Sequence, residues 1–355
     1  MEYNRLGDYI EPVDERNSKL EIKLSQGICN EKYFQDPRQV AENSTADKIV
    51  RQGYFAYNRA TTRNGEKISI AYREGPDCTV SSAYQVFKIK YEEKLNPKYL
   101  LMWYKRSDFD RYARFKSHGS AHEFFEYEEM CDVMLPIPSI TRQREIVSEY
   151  ETLTNRIRLN NQMIQHLEAT AQTLYRKTFV DNIDKENLPE GWRMGTLGDI
   201  AEINSGKTCI DKSEIKDDIY QYPVAGASGI IGFSSTYNYD EKLMTTGRVG
   251  TLGVVNRYNQ KMYMADNVLI IRSNYYEYCY QILKSLDYSE ITKGGVQSLI
   301  TQTDLKDYSI TLPSEEILST FEKQSGTLYS SVEIKEQENE KLTELQSLLL
   351  AKMGQ

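Results

Sequence analysis

The 355-residue sequence repeats itself at long range. Leu6-Gly7-Asp8 returns as Leu197-Gly198-Asp199, and Leu135-Pro136 returns as Leu312-Pro313. The offset falls from 191 to 177 between these two pairs, so the first half carries extra residues inside its globular part. Behind each Leu-Pro runs a long, Pro-poor stretch with residues stepping by alternating fours and threes. In the first it reads Ile146, Tyr150, Leu153, Ile157, Asn160, Ile164, Leu167, Ala171, Leu174, Thr178. In the second it reads Phe321, Ser325, Leu328, Val332, Lys335, Asn339, Leu342, Gln346, Leu349, Met353. Such spacing is a heptad seam; an amphipathic helix lying on its own domain is the simpler competing reading. The repeat predicts an α+β chain of two tandem α/β domains, each followed by a long helix of about 50 Å. Two equivalent helices of one chain, related by a pseudo-twofold axis, run antiparallel and place the globular regions at opposite ends of a coiled-coil spacer. The expected boundaries are 1–138 and 181–313 for the domains, 139–180 for the central helix and 314–355 for the C-terminal helix.

Charge matters next, because 52 acidic against 44 basic residues give a net −8, unsuited to phosphate contacts. The charge is segregated, however. Residues 48–73 carry a net +5 and residues 101–118 a net +3. The five cysteines are an odd number with no close pair, against both a disulfide framework and Cys-x-x-Cys metal knuckles. No run of eighteen apolar residues and no basic-then-apolar N-terminus is present, so a cytoplasmic protein with no membrane partner is expected. Strands are expected over Val80–Lys90, Gly250–Asn256 and Met262–Arg272, punctuated by Gly-rich turns. Asp181–Gly191 reads as a polar linker.

Catalytic motifs are thin. Gly206-Lys207-Thr208 ends like a phosphate-binding loop, but Ala201 stands where the pattern needs glycine. Asn96-Pro97-Lys98-Tyr99 approaches an amino-methyltransferase signature with Lys98 in place of the second proline; a helix start is the simpler reading. His118 and His122 lack a third ligand for zinc. No catalytic residues and no metal site are assigned. What remains is Gly-punctuated, basic, tyrosine-rich surface, with 27 tyrosines in all. Arg and Lys anchor phosphates and read guanine, and Gln pairs with adenine. The Ser117-His118-Gly119-Ser120 and Thr292-Lys293-Gly294-Gly295 loops occupy matching places in the two halves, and Arg248 is flanked by glycines. Ordinary hairpin turns carrying surface charge are the competing reading of all of these.

In order along the second half stand Leu197-Gly198-Asp199, Asn204-Ser205-Gly206-Lys207-Thr208 and Thr246-Gly247-Arg248-Val249-Gly250. Met264-Ala265-Asp266-Asn267-Val268-Leu269, Gly294-Gly295-Val296-Gln297-Ser298-Leu299-Ile300 and Leu312-Pro313 follow. The first half matches more loosely through Leu6-Gly7-Asp8, Gly53-Tyr54-Phe55, Gly119-Ser120-Ala121 and Leu135-Pro136-Ile137-Pro138. This order and duplication resemble the specificity subunit of a type I restriction-modification system, over essentially the whole chain. The resemblance implies two target-recognition domains reading a bipartite site in double-stranded DNA, the helices setting a span near fifteen base pairs. It implies two methyltransferase subunits carrying S-adenosylmethionine, and restriction subunits using ATP and Mg, with no cofactor and no catalysis in this chain. From charge, loop context and these motifs, the DNA-contacting candidates are Arg59, Arg63, Lys67, Lys116 and His118 in the first domain. In the second they are Lys207, Arg248, Lys293 and Gln297. A two-headed adaptor joining proteins without reading DNA is the competing function.

Overall fold

The computed structural model describes residues 2–37, 44–60, 67–117, 123–181, 183–249, 252–292 and 299–354. It forms two compact units: Met1–Asn160 together with Gln337–Gln355, and Asn161–Glu336. Each unit therefore takes part of both long helices.

In the first unit, strand Tyr3–Arg5 pairs antiparallel with Met134–Pro136, and in the second Arg193–Thr196 pairs antiparallel with Ser309–Leu312. The two repeated motifs thus meet inside each unit. Asn4 lies opposite Leu135, and Arg193 lies opposite Leu312. Leu-Gly-Asp forms a 3-10 turn in both places. The amide of Leu6 donates to Val133 O and that of Leu197 to Tyr308 O, each at 2.9 Å. Leu6, Leu135 and Leu197 are fully buried, so this clasp is also core. The second clasp carries a capping box between Thr196 and Asp199. The two helices, Ile140–Phe179 and Glu315–Lys352, start directly after the clasps. Ser139 Oγ accepts from Arg142 N at 3.3 Å at the first start.

Every seam position named above is buried or half-buried, as a heptad stripe against a partner requires. Within the first unit, Gln346 Nε2 donates to Thr154 Oγ1 at 2.7 Å and Asn160 Nδ2 to Asn339 Oδ1 at 3.0 Å. Numbers rise along one helix as they fall along the other, so the pair is antiparallel. Within the second unit, Ile164, Leu167, Ala171 and Leu174 share a core cluster with Phe321, Leu328, Tyr329 and Val332.

The first unit holds a four-stranded sheet in the order Ile10–Val13, Tyr84–Ile89, Phe55–Asn58, Ile70–Tyr72, all antiparallel. Its core is aromatic, with Phe55 stacked on Phe87 at 5.1 Å and Tyr104 edge-on to Phe55 at 5.9 Å. The second unit holds a six-stranded sheet in the order Ala201–Ser205, Val268–Ser273, Tyr239–Gly247, Val255–Met264, Tyr222–Gly226, Gly229–Ser234. One neighbouring pair, Tyr222–Gly226 with Val255–Met264, is parallel.

Three strand expectations change. Val80–Lys90 divides into Cys78–Val80 and Tyr84–Ile89 around a turn in which Tyr84 N donates to Ser81 O. Met262–Arg272 divides at Ala265-Asp266-Asn267, where Val268 N turns back to Ala265 O, so the apolar residues on either side belong to different strands. Within Gly250–Asn256, the described part joins a strand only from Val255. Asn96-Pro97 does start a helix, Pro97–Tyr104, with Asn96 Oδ1 accepting from the amides of Lys98 and Tyr99.

Candidate nucleic-acid interface

In the second unit, four motif segments far apart in sequence arrive at one end of the six-stranded sheet. Strand Ala201–Ser205 runs into Gly206-Lys207-Thr208, and strand Tyr239–Gly247 runs into Arg248. Strand Val268–Ser273 begins at the same end, just after the Ala265-Asp266-Asn267 turn. Backbone hydrogen bonds knit them together. Gly206 N donates to Val268 O at 3.2 Å, Lys207 N to Met264 O at 3.0 Å and Arg248 N to Asn267 O at 3.0 Å. Ile300 N then donates to Arg248 O at 3.0 Å, and Val249 bridges to Leu299. Side chains reinforce the join: Thr208 Oγ1 donates to Asp266 Oδ2 at 2.8 Å and Tyr263 Oη to Thr208 O at 3.1 Å. Gln302 Nε2 reaches Ser205 Oγ at 2.8 Å.

Gly206 is dictated by this crossing. A Cβ there would lie 1.9 Å from Ala265 O, so any side chain forces two backbones apart. The result is a rigid ledge on which Lys207 is exposed and Arg248 half-exposed. Neither side chain has an ion-pair or hydrogen-bond partner among the described residues. Two cations on a hydrogen-bonded ledge, without partners among the described residues, suit an anionic ligand.

The first-unit candidates have different surroundings. Arg59 donates through Nη1 to Glu126 at 3.0 Å and through Nε to Ala83 O at 3.3 Å, with its guanidinium 5.7 Å from the Phe124 ring. Lys116, in the last turn of Ser107–Lys116, pairs with Glu129 at 3.0 Å, and that contact raises its pKa. Lys67 is exposed beside buried Ile68. Arg63, His118, Lys293 and Gln297 lie outside the described residues.

The same accounting extends to the basic runs. Lys48 pairs with Asp14, and Arg51 with Glu15 and Asp77. Buried Arg73 donates to Pro76 O and Gln26, stacked 5.2 Å from the Phe34 ring. In residues 101–118, Arg106 and Arg111 share Asp108, and Arg114 pairs with Glu123. Lys48, Arg51, Arg59, Arg114 and Lys116 thus meet carboxylates from outside their own segments, which a count within a segment does not see, whereas Asp108 lies inside its segment. Sequence reasoning also passed over Asn238, whose side chain clamps Met264 through both its N–H and C=O groups and so sets the turn above.

Among the described residues no group of three His, Cys, Asp or Glu side chains is placed to hold a metal ion, and no helix is long and apolar enough to cross a membrane. All five cysteines are free thiols.

Comparisons with known proteins bear on what the ledge faces. The family model for type I restriction modification DNA specificity domains matches residues 40–169 and again 189–344. A type I restriction enzyme specificity subunit (MjaIX) of Methanocaldococcus jannaschii is 21% identical, the match covering 72% of this chain and 67% of the relative. The HindI specificity subunit of Haemophilus influenzae is 20% identical, with 87% of each chain covered. The crystal structure of a type I restriction-modification S subunit from M. genitalium shares the fold at a TM-score of 0.62 and 13% identity, covering all of this chain and 96% of the other. With its duplicated clasp, its antiparallel heptad helices and two family matches spanning most of its length, the chain belongs to the type I restriction-modification DNA specificity subunits, and its role is DNA specificity, not that of an adaptor that does not read DNA.

Proposed function

We propose that each unit reads one half of a bipartite double-stranded DNA site, and that this chain supplies recognition while its partners supply chemistry. Two methyltransferase subunits bring S-adenosylmethionine and methylate a flipped adenine. Restriction subunits bring ATP and Mg and carry out cleavage. The assembly works in the cytoplasm, where its DNA substrate is. Family membership supports the division of labour.

The observation that carries the DNA-facing assignment is the ledge of the second unit, where Gly206–Thr208, Arg248 and Asp266–Val268 interlock and leave Lys207 and Arg248 without partners among the described residues. The test is co-expression with the methyltransferase subunit of the same system in a methylation-free host, followed by base-resolution mapping of N6-methyladenine. A split motif that disappears when this chain is omitted is the expected result. Methyltransferase activity with no motif would refute it. Arg248→Ala should weaken one half-site by about 1–3 kcal/mol if the arginine reads a base; equal loss on every sequence would make it a phosphate contact.

A further inference from the structure

Just past Lys207 the chain holds an apolar side chain almost wholly in water. Ile210 is 96% exposed, the highest value among the exposed large apolar residues described. Leaving an isoleucine exposed forgoes nearly all the stabilisation its burial would bring, and nothing in the local fold calls for a branched aliphatic group there. The residue is nevertheless held in place, because the chain is tied down on both sides of it. Before it, Thr208 donates to Asp266 and accepts from Tyr263. After it, the Asp211 carboxylate accepts from the Ser235 amide at 3.3 Å and from the Ser235 hydroxyl, while Cys209 Sγ donates to Asp211 O at 3.3 Å. An apolar group is thus presented at a fixed point, three residues from a cation on the ledge.

We infer that Ile210 is a base-reading residue of the second unit, its aliphatic side chain taking the 5-methyl group of a thymine in the major groove. This rests on the reading of the ledge as DNA-facing. Isoleucine has no donor or acceptor, and the thymine methyl is the apolar group that base edges offer in the major groove. Ile215 and Ile219 are also exposed, but they lie farther from Lys207, in a stretch with Glu214, Asp217 and Asp218. The assignment stops at Ile210, the exposed isoleucine nearest Lys207 in the chain.

The experiment uses the full chain assembled with its methyltransferase subunits, and duplexes carrying the mapped site. Each thymine of the second unit's half-site is replaced in turn by deoxyuridine, which removes only the methyl group. At one position the wild-type assembly should bind about fourfold more weakly, the worth of one buried methyl group. Ile210→Ala should bind the thymine duplex several-fold more weakly and be indifferent to deoxyuridine at that position. Since Ile210 is in solvent, the variant's melting temperature should not move. A half-site of G·C pairs alone, or a variant that keeps the wild-type thymine sensitivity, overturns the inference while leaving sequence-specific binding intact. So does a variant with unchanged DNA affinity that loses methyltransferase subunits on purification, which would put the loop against protein. An assembly with no sequence preference at all would instead remove the reading of the ledge itself.

Discussion

Arg257 offers a quantitative test of how the second unit is held together. Its guanidinium forms a two-pronged pair with Glu277, at 2.5 and 2.9 Å, and Glu277 is 2% exposed. The same guanidinium lies 3.9 Å from the Tyr329 ring, 4.7 Å from Tyr280 and 4.9 Å from Tyr276. One side chain thereby joins strand Val255–Met264, helix Tyr276–Ser285 and the C-terminal helix. Arg257→Met keeps the aliphatic bulk but strands the Glu277 carboxylate, with only Lys242 left at 3.2 Å. Removing one partner of a buried pair costs about 3–5 kcal/mol; with Lys242 offsetting part of that, a loss of about 3 kcal/mol is expected. For a unit of this size that is a fall of roughly 6–12 °C in melting temperature. Adding Glu277→Met should recover most of it, because a buried pair replaced on both sides by apolar groups is often neutral. Calorimetry of the two variants beside the wild type decides the matter. A single variant melting within about 1 °C of wild type, or a double variant melting lower than the single, would refute the reasoning.

Other expectations follow from the same geometry. Gly206→Ala places a Cβ against Ala265 O, so an overpacking cost of about 1–3 kcal/mol is expected. Binding measured on each half-site separately should fall for the half read by the second unit and hold for the other. Asn160, 3% exposed and bonded to Asn339, sets register at the expense of stability. Asn160→Leu with Asn339→Leu should therefore melt higher than wild type, whereas Asn160→Leu alone should melt lower than the double variant. Glu322 accepts from the amides of Glu277 and Tyr278, and its burial raises its pKa above the ordinary glutamate value of 4.5 despite those bonds. The folded protein thus binds this proton more tightly than the unfolded chain, so the contribution is fully present below about 4.5 and is lost as pH rises through the folded pKa. Melting curves should show wild type losing stability over that rise relative to Glu322→Gln; parallel pH profiles would count against it.

The features legible in the sequence were those that repeat or have a period. Leu-Gly-Asp and Leu-Pro were visible as a duplication, and the fold shows why: they are the two sides of one clasp, used twice. The seam was visible because each position must avoid water on one face of a helix. Features set by long-range pairing were not legible. The Ala265-Asp266-Asn267 turn hid inside an apolar run, since the buried Met262 and Met264 that end one strand stand only a few residues from the buried Val268–Ile271 that begin the next. The charge of residues 48–73 was legible, but not that Asp14, Glu15, Asp77 and Glu126 arrive from other segments to pair with Lys48, Arg51 and Arg59. Of the contact candidates, Lys207 and Arg248 stood out through glycines beside them, but nothing local showed that their two loops are hydrogen-bonded to one turn. Ile210 carried no signal, because exposure is a property of the fold.

The division into units has a consequence for the order in which the protein is made. The second unit is one uninterrupted stretch nested inside the first, which stays incomplete until Gln337–Gln355 has been added. Tyr3 Oη donates to Gly354 O at 2.8 Å, and Met353 belongs to the same core cluster as Leu6 and Leu135. On a ribosome moving at about 5–20 residues per second, the emerging first unit waits roughly ten to thirty-five seconds while the nested stretch is made. Throughout that interval the groups later covered by the last turns of the C-terminal helix are open. The domain begun first is finished last, and a nascent chain of this design presents a temporary apolar surface to whatever meets it on the ribosome.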